Sequence, residues 1–363
     1  MPRGRTGIEA YRGARIALEA GNTVALATVI RAEGSTPREA GAHMAVLPDG
    51  TLLESVGGGP GEHGVLQAAR DSMESGHAAI VRLDLGGRTD PRAPAVCGGK
   101  MEILVEPLRP ARDIEWVRTV VRLCEEGRPV LILRELNEDR AVECLVLAVA
   151  EKDGAIAWRR GDAPLPDHRA AERGPLVRFL QRQGARSPLL VEEIPPVERL
   201  IIVGGGHIGR ALSSIGSLLR FEVTVVDERE EFADRRRFPE AACVLHGDPG
   251  AILETVPGGM SAYFVLVSHG YPTDVKALSA LVRKETRYIG MIGSRKRVDM
   301  VRRALSEKGI EPGALGRLFA PIGIGIGAQT PEEIAISIAA EIVAVRNGLG
   351  GGAGSLSERR ETG

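Results

Sequence analysis

The segment from Arg199 to Asp227 constrains this chain more than any other. An apolar stretch, Leu200-Ile-Ile-Val203, runs into Gly204-Gly-Gly-His-Ile-Gly209, a G-x-G-x-x-G pattern. A helical pattern follows, and then Val223-Thr-Val-Val ends in Asp227, 18 residues after Gly209. Strand, glycine turn, helix, strand and acid in that order predict a βαβ nucleotide-binding unit. Gly204 suits the tight turn, Gly206 a close backbone approach to phosphate, and Gly209 close packing of helix on strand. The helix N-terminus offers unpaired N–H groups and a positive dipole end to an anion, and His207 in the turn is a candidate contact. Asp227 is placed to accept from ribose hydroxyls, which favours NAD over NADP.

That unit begins past the middle of a 363-residue chain, and the length allows two domains, each able to bury a core. Pro195-Pro196 is the predicted boundary. From there on, strands near 199–203, 222–227, 242–246, 262–268, 287–292 and 317–320 are separated by helical patterns. This is the order of a doubly wound parallel sheet. Residues 1–195 read as a mixed α/β domain. It has helices near 7–20, 65–75 and 113–126 and strands near 23–31, 42–47, 52–56, 78–85, 101–107, 130–136 and 143–149. Residues 151–195 are punctuated by Gly and Pro, with a short helix expected at 175–183. The expected organisation is an N-terminal mixed α/β domain over 1–195, a Rossmann-like domain over 196–346, and a low-complexity, disordered tail over 347–363.

Bulk properties exclude several functions. Net charge is −1, from 47 basic and 48 acidic residues, and aromatics are 3% of the chain. Neither the basic footprint nor the stacking platform of a nucleic-acid binder is present. No apolar run reaches the roughly 18 residues of a membrane span, and no signal-like stretch opens the chain. A cytoplasmic protein is expected. The four cysteines, Cys97, Cys124, Cys144 and Cys243, include no CxxC pair. Cys124, Cys144 and Cys243 lie in apolar patterns and are expected in the core.

Several segments carry chemistry beyond the fingerprint. Gly57-Gly58-Gly59 joins a strand to a helix and leaves bare backbone that can wrap an anion. Glu62, in the first helical turn, either complements the helix dipole or faces a ligand. Gly34-Ser35-Thr36-Pro37-Arg38 combines two hydroxyls and a guanidinium in a turn that suits phosphate. Cys97 precedes Gly98-Gly99 and is a candidate catalytic thiol or metal ligand. In the second domain His269, after the fourth strand, is a candidate acid/base. Ser294 and Arg295, after the fifth strand, are candidate phosphate contacts. Thr330-Pro-Glu-Glu333 predicts a capped helix start. His43, His63, His77, His168 and His246 show no metal-ligand spacing.

Taken together, these motifs resemble the xanthine dehydrogenase accessory factor family of XdhC/CoxI type. The matching pieces are Gly34–Arg38, Gly57–Gly59 with Glu62, Cys97–Gly99 with Glu102 and Glu106-Pro107, and Gly204–Gly209. Further on they are Asp227-Glu-Arg229 with Phe238-Pro239, Gly290–Arg295, Ala320–Gly323 and Thr330–Ala335. The resemblance implies a molybdenum cofactor chaperone without turnover of its own. Such a protein binds molybdopterin as cargo, protects it during sulfuration by a cysteine desulfurase or sulfurtransferase, and delivers it to a molybdenum hydroxylase apoenzyme such as xanthine dehydrogenase. It implies cofactor contacts from Ser35, Thr36, Arg38, Gly57, Gly58 and Gly59, with Cys97 beside the molybdenum, and a homodimer is one assembly open to it. The chain departs from the family at Pro60, where members commonly carry a cysteine, and at Gly325, where they often carry an acid. It therefore either does without that thiol or relies on Cys97. The competing reading, from the fingerprint alone, is an NAD-dependent oxidoreductase binding NAD(H) through Gly204, Gly206, His207, Gly209 and Asp227.

Overall fold

The computed structural model describes residues 7–58, 60–85, 98–137, 143–151, 153–162, 165, 176–180, 188–311, 313 and 318–349. Gly59, Cys97 and the expected tail beyond Leu349 lie outside them, as does the side chain of Cys144. The chain divides into two compact units, Pro2–Pro196 and Val197–Gly363.

In the first unit, strand β1 (Val24–Glu33) is buried on both faces over its first seven residues. An antiparallel strand buried this way needs cover on each side. It sits at the centre of a five-stranded antiparallel sheet, order β3-β2-β1-β5-β4, with β2 (His43–Val46), β3 (Leu52–Glu54), β4 (Ala79–Asp84) and β5 (Lys100–Leu108). Helix α2 (Pro60–Ser75) covers one face. Its Val65 and Ala69 pack with Ala25, Ala27, Val29, Met44, Ile103 and Val105. A second antiparallel sheet, order β8-β7-β6-β10-β9, is built from β6 (Val130–Asn137), β7 (Glu143–Glu151), β8 (Ile156–Arg159), β9 (Val177–Leu180) and β10 (Leu189–Ile194). Ile30 and Leu104 of the first sheet meet Leu136, Val177 and Leu190 of the second. Helices α1 (Ile8–Glu19) and α3 (Pro110–Glu125) pack on each other. The helix expected at 175–183 is instead strand β9, paired antiparallel with β10 from Val177↔Glu192 to Leu180↔Leu189.

Between the two sheets runs a buried polar network that no local pattern announced. Arg134, fully buried, donates from Nε to Glu106 at 2.9 Å, from Nη2 to the Tyr11 hydroxyl at 3.1 Å, and from Nη1 to Glu192. His43 Nε2 contacts the other Glu192 oxygen. Burial pushes the Glu192 carboxyl up, but the facing His43 and Arg134 outweigh it and hold it at about 2. Burial, with Glu192 nearby, pushes the Tyr11 phenol well above its ordinary value. Removing one partner of such a network leaves an uncompensated buried charge, which costs several kcal/mol.

The second unit is a six-stranded parallel sheet, order β13-β12-β11-β14-β15-β16. Its strands are β11 (Arg199–Val203), β12 (Glu222–Asp227), β13 (Cys243–His246), β14 (Gly259–Leu266), β15 (Thr286–Met291) and β16 (Leu318–Phe319). Helices α4 (His207–Leu218) and α8 (Pro331–Arg346) cover one face. Helices α5 (Pro249–Thr255), α6 (Tyr271–Leu281) and α7 (Arg295–Glu307) cover the other. This is the Rossmann-like doubly wound arrangement. The order reverses at β11, between β12 and β14, so the crevice for a ligand opens at the carboxyl ends of those strands. Helix α8 starts with the full capping box of Thr330 and Glu333 and with Pro331 in its first turn. Cys243, expected in the core, is exposed because β13 is the edge strand of the sheet. Among the described residues no helix is long and apolar enough to cross a membrane.

Candidate functional site

Three segments far apart in sequence come together at one end of the first sheet. The loop after β1 carries Gly34–Arg38, Gly98-Gly99 lead into β5, and Gly57 lies between β3 and α2. A Cβ on Gly99 would stand 2.5 Å from the Glu33 carbonyl oxygen and 2.6 Å from that of Ser35. Only a glycine lets the loop backbone lie this close. Gly57, at φ +150°, carries the other contact, because a Cβ there would stand 2.9 Å from Pro37 Cγ. The Ser35–Arg38 turn is thus held by glycines on two neighbouring segments, with Pro37 packed on Gly57 and the Thr36 methyl on Gly99.

The hydroxyls and the guanidinium of that turn are unengaged among the described residues. Ser35 and Arg38 are exposed and Thr36 is half-buried. None of the three makes a side-chain hydrogen bond or ion pair among the described residues. A guanidinium and two hydroxyls on a backbone-anchored turn form a donor set for a phosphate or another polar anion. Gly58 stays open, with nothing within 4 Å of where a Cβ would be. Glu62 accepts from Ser55 Oγ at 2.9 Å, and that oxygen accepts from the Gly57 N–H at 3.1 Å. One oxygen of Glu62 therefore braces the glycine turn through Ser55. No group of three or more His, Cys, Asp or Glu side chains able to hold a metal occurs among the described residues, and Cys97 lies outside them.

The fingerprint of the second unit is used differently. A Cβ on Gly204 would stand 2.6 Å from the Val267 carbonyl oxygen, and one on Gly209 would stand 1.9 Å from that of Gly204. Gly204 takes φ +118° in the turn, and at both glycines a side chain would collide with backbone. Gly206 is open, with nothing within 4 Å of a Cβ position. It forms the N-cap of α4 without a side-chain cap, and His207 is exposed beside it. Asp227, 4% exposed, accepts from the Gly205 N–H and is clasped by Arg229. Burial raises its carboxyl, but the Arg229 and Gly205 hydrogen bonds outweigh that and hold it below the usual aspartate range.

At the carboxyl ends of β11, β12 and β14, a narrow crevice is lined by Gly204, Asp227, Glu228, Ser268, His269 and Thr273, among others. His269 is exposed on it. Glu228 accepts from Thr273 Oγ1 at 2.8 Å. Ser294 caps α7 by accepting from the Arg297 N–H, and Arg295 sits exposed in the first turn of that helix. Arg297 donates twice to buried Asp274, at 2.8 and 2.6 Å, and to Ser268. Ser268 Oγ completes that triad by donating to Asp274 at 2.7 Å. Burial pushes the Asp274 carboxyl up despite these bonds. Sequence reading missed Asp274 and the Arg134 network. Asp274, an acid four residues past a strand-end serine-glycine turn, was the one with a local signal.

Comparison with known proteins joins the two halves. A family model described as the XdhC and CoxI family matches residues 17–84, and one described as the XdhC Rossmann domain matches residues 200–342. The chain belongs to the XdhC and CoxI family. It is 27% identical over 332 residues to a probable xanthine dehydrogenase subunit of Bacillus subtilis (strain 168), covering 91% of this chain and 95% of that protein. It is 23% identical over 332 residues to the molybdenum cofactor insertion chaperone PaoD of Escherichia coli (strain K12), covering 91% and 86%. A further E. coli relative, the uncharacterized protein YqeB, is 36% identical over 155 residues; the match spans 42% of this chain and 28% of YqeB. Among solved structures, a xanthine dehydrogenase from Bacillus halodurans superposes with TM-score 0.70 at 25% identity, covering 94% of this chain and 96% of that one. As a member of the XdhC and CoxI family, this chain keeps its glycine-built loop cluster with Pro60 directly after the third glycine.

Proposed function

We propose that this chain is an accessory protein in molybdenum enzyme maturation that binds the molybdenum cofactor in its N-terminal unit and passes it to a molybdenum hydroxylase apoenzyme. One observation carries the reading: the turn bearing Ser35, Thr36 and Arg38 is anchored by glycines on two other segments, yet its polar side chains are unengaged among the described residues. An anionic cargo with a phosphate and a polar ring edge fits such a donor set. The Arg38 fork takes the phosphate, the Ser35 and Thr36 hydroxyls take its remaining oxygens or the ring edge, and open Gly58 lets the ligand approach the backbone. Cys97, two residues before the glycine that anchors the turn, supplies a soft thiolate to the metal of the cargo. With Pro60 after the glycines, Cys97 is the thiol on which the metal end of the site depends. The names of PaoD and of the B. subtilis relative support the same direction. A sulfur-transferring enzyme is the expected second partner, because a held cofactor must receive its terminal sulfur before delivery.

Native mass spectrometry tests this directly. Full-length protein purified from a molybdopterin-producing host is expected to carry a bound pterin mass, absent when the host lacks the pathway. The same spectrum gives the number of copies in the assembly and so tests the homodimer. Protein that leaves the producing host without bound pterin, under conditions that keep the chain folded, contradicts the proposal.

A further inference from the structure

An acid that serves as ribose acceptor at the end of the second Rossmann strand needs a free carboxylate oxygen beside the glycine turn. Asp227 holds that position, and both its oxygens are taken from within the chain. Oδ2 accepts from the Gly205 N–H at 2.7 Å and from Arg229 Nη2 at 2.8 Å. Oδ1 accepts from the Arg229 backbone N–H and from its Nε, each at 2.9 Å. The guanidinium is fixed from its other side as well, with its carbon 3.7 Å from the Phe232 ring centroid. Phe232 is itself seated, since its carbonyl oxygen would stand 2.2 Å from a Cβ on Gly205. Arg237 shares the same ring at 4.8 Å and donates to the Gly205 carbonyl at 3.1 Å.

We propose that Arg229 decides whether the Rossmann unit accepts a dinucleotide: it occupies Asp227 in place of a ribose, and shortening it uncovers an NAD site. A ribose diol offers Asp227 two neutral hydrogen bonds. To form them it must displace charge-assisted bonds from a fork that matches the carboxylate, and these are about twice as strong. The exchange also strips the guanidinium from a ring that already holds it. The phosphate end of the site is not blocked, because Gly206 is open and the α4 N-terminus has no side-chain cap. The obstruction sits at the ribose end alone and in one side chain. Arg237 keeps its hold on Gly205 and Phe232 when Arg229 is shortened, so the turn retains its shape. This inference concerns Val197–Gly363 and is independent of cofactor binding in the first unit.

The test is NADH titration of the full chain, followed by nicotinamide fluorescence and calorimetry, for wild type, Asp227→Asn, Arg229→Ala and Arg229→Ala/Asp227→Asn. Wild type is expected to show no saturable binding up to about 1 mM, Arg229→Ala to bind at least about tenfold tighter, and the double variant to lose that gain. Should Arg229→Ala fail to fold, as judged by circular dichroism, Arg229→Gln is read in its place, since its stem still covers Phe232. Saturable NADH binding by wild type that Asp227→Asn weakens would overturn the proposal. So would a folded Arg229 variant that gains nothing.

Discussion

In the Val197–Gly363 unit, the glycines of the fingerprint bring the chain's own atoms onto the turn. The Phe232 carbonyl, the Asp227 carboxylate and the Arg237 guanidinium all engage Gly205. In the Pro2–Pro196 unit, Gly57 and Gly99 instead anchor a loop whose hydroxyls and guanidinium have no partner among the described residues. The two glycine clusters look equally suited to phosphate in sequence. Only their neighbours separate a turn whose ribose end is filled by its own protein from a turn held open. Bare backbone is therefore a weak sign of a ligand, and the informative quantity is whether the polar groups around it are already satisfied.

The largest expected effect comes from the buried polar network of the first unit. Glu192→Gln breaks the His43–Glu192–Arg134 contacts and is expected to destabilise the chain by about 3–5 kcal/mol at neutral pH. Both tryptophans, Trp116 and Trp158, lie in this unit, so their fluorescence during urea unfolding is the readout. The pH dependence follows from the sign of the shift. The Glu192 carboxyl is lowered from 4.5 to about 2, so its contribution is complete above about pH 4.5 and drains away as pH falls toward 2. Wild type should lose stability across that window, and Glu192→Gln should show a shallower loss.

A smaller effect is expected at the Gly205 turn. Gly205→Ala forces a methyl against the Phe232 backbone and is expected to cost about 2–3 kcal/mol. Faster hydrogen exchange across α4 and β12 is the measurement. Gly58→Ala is the matched control at the open turn. Nothing crowds its Cβ, so only the strain of φ +71° is expected, about 1 kcal/mol. Equal losses at Gly205 and Gly58 would erase the distinction between the two turns.

Legibility followed the range of the interactions. The parallel sheet and the α8 start were readable because strand runs, turn glycines and the Thr330–Glu333 capping box are local signals. The stretch at 175–183 was misread because Val177–Leu180 is four residues long, and only pairing with β10 decides its state. Arg134 looked like an ordinary strand residue; its partners Glu106 and Glu192 are 28 and 58 positions away. Cys243 looked apolar in pattern, yet edge position exposes it. At the candidate site, the residue types of Ser35, Thr36 and Arg38 were visible, but their being unengaged was not. The occupation of Asp227 was equally hidden, because an acid two residues before an arginine does not reveal a bidentate clasp.

The most direct test compares pterin content, by fluorescence after oxidative release, in wild type, Arg38→Ala and Arg229→Ala purified side by side from a molybdopterin-producing host. Neither substitution is expected to unfold the chain, and Arg38→Ala, at an unengaged exposed side chain, should change stability by less than about 0.5 kcal/mol. Arg38→Ala is expected to retain about tenfold less pterin than wild type, a loss of about 1.4 kcal/mol in binding, while Arg229→Ala retains the wild-type amount. Full pterin content in Arg38→Ala, or its loss in Arg229→Ala alone, would contradict the assignment of the cargo to the open turn.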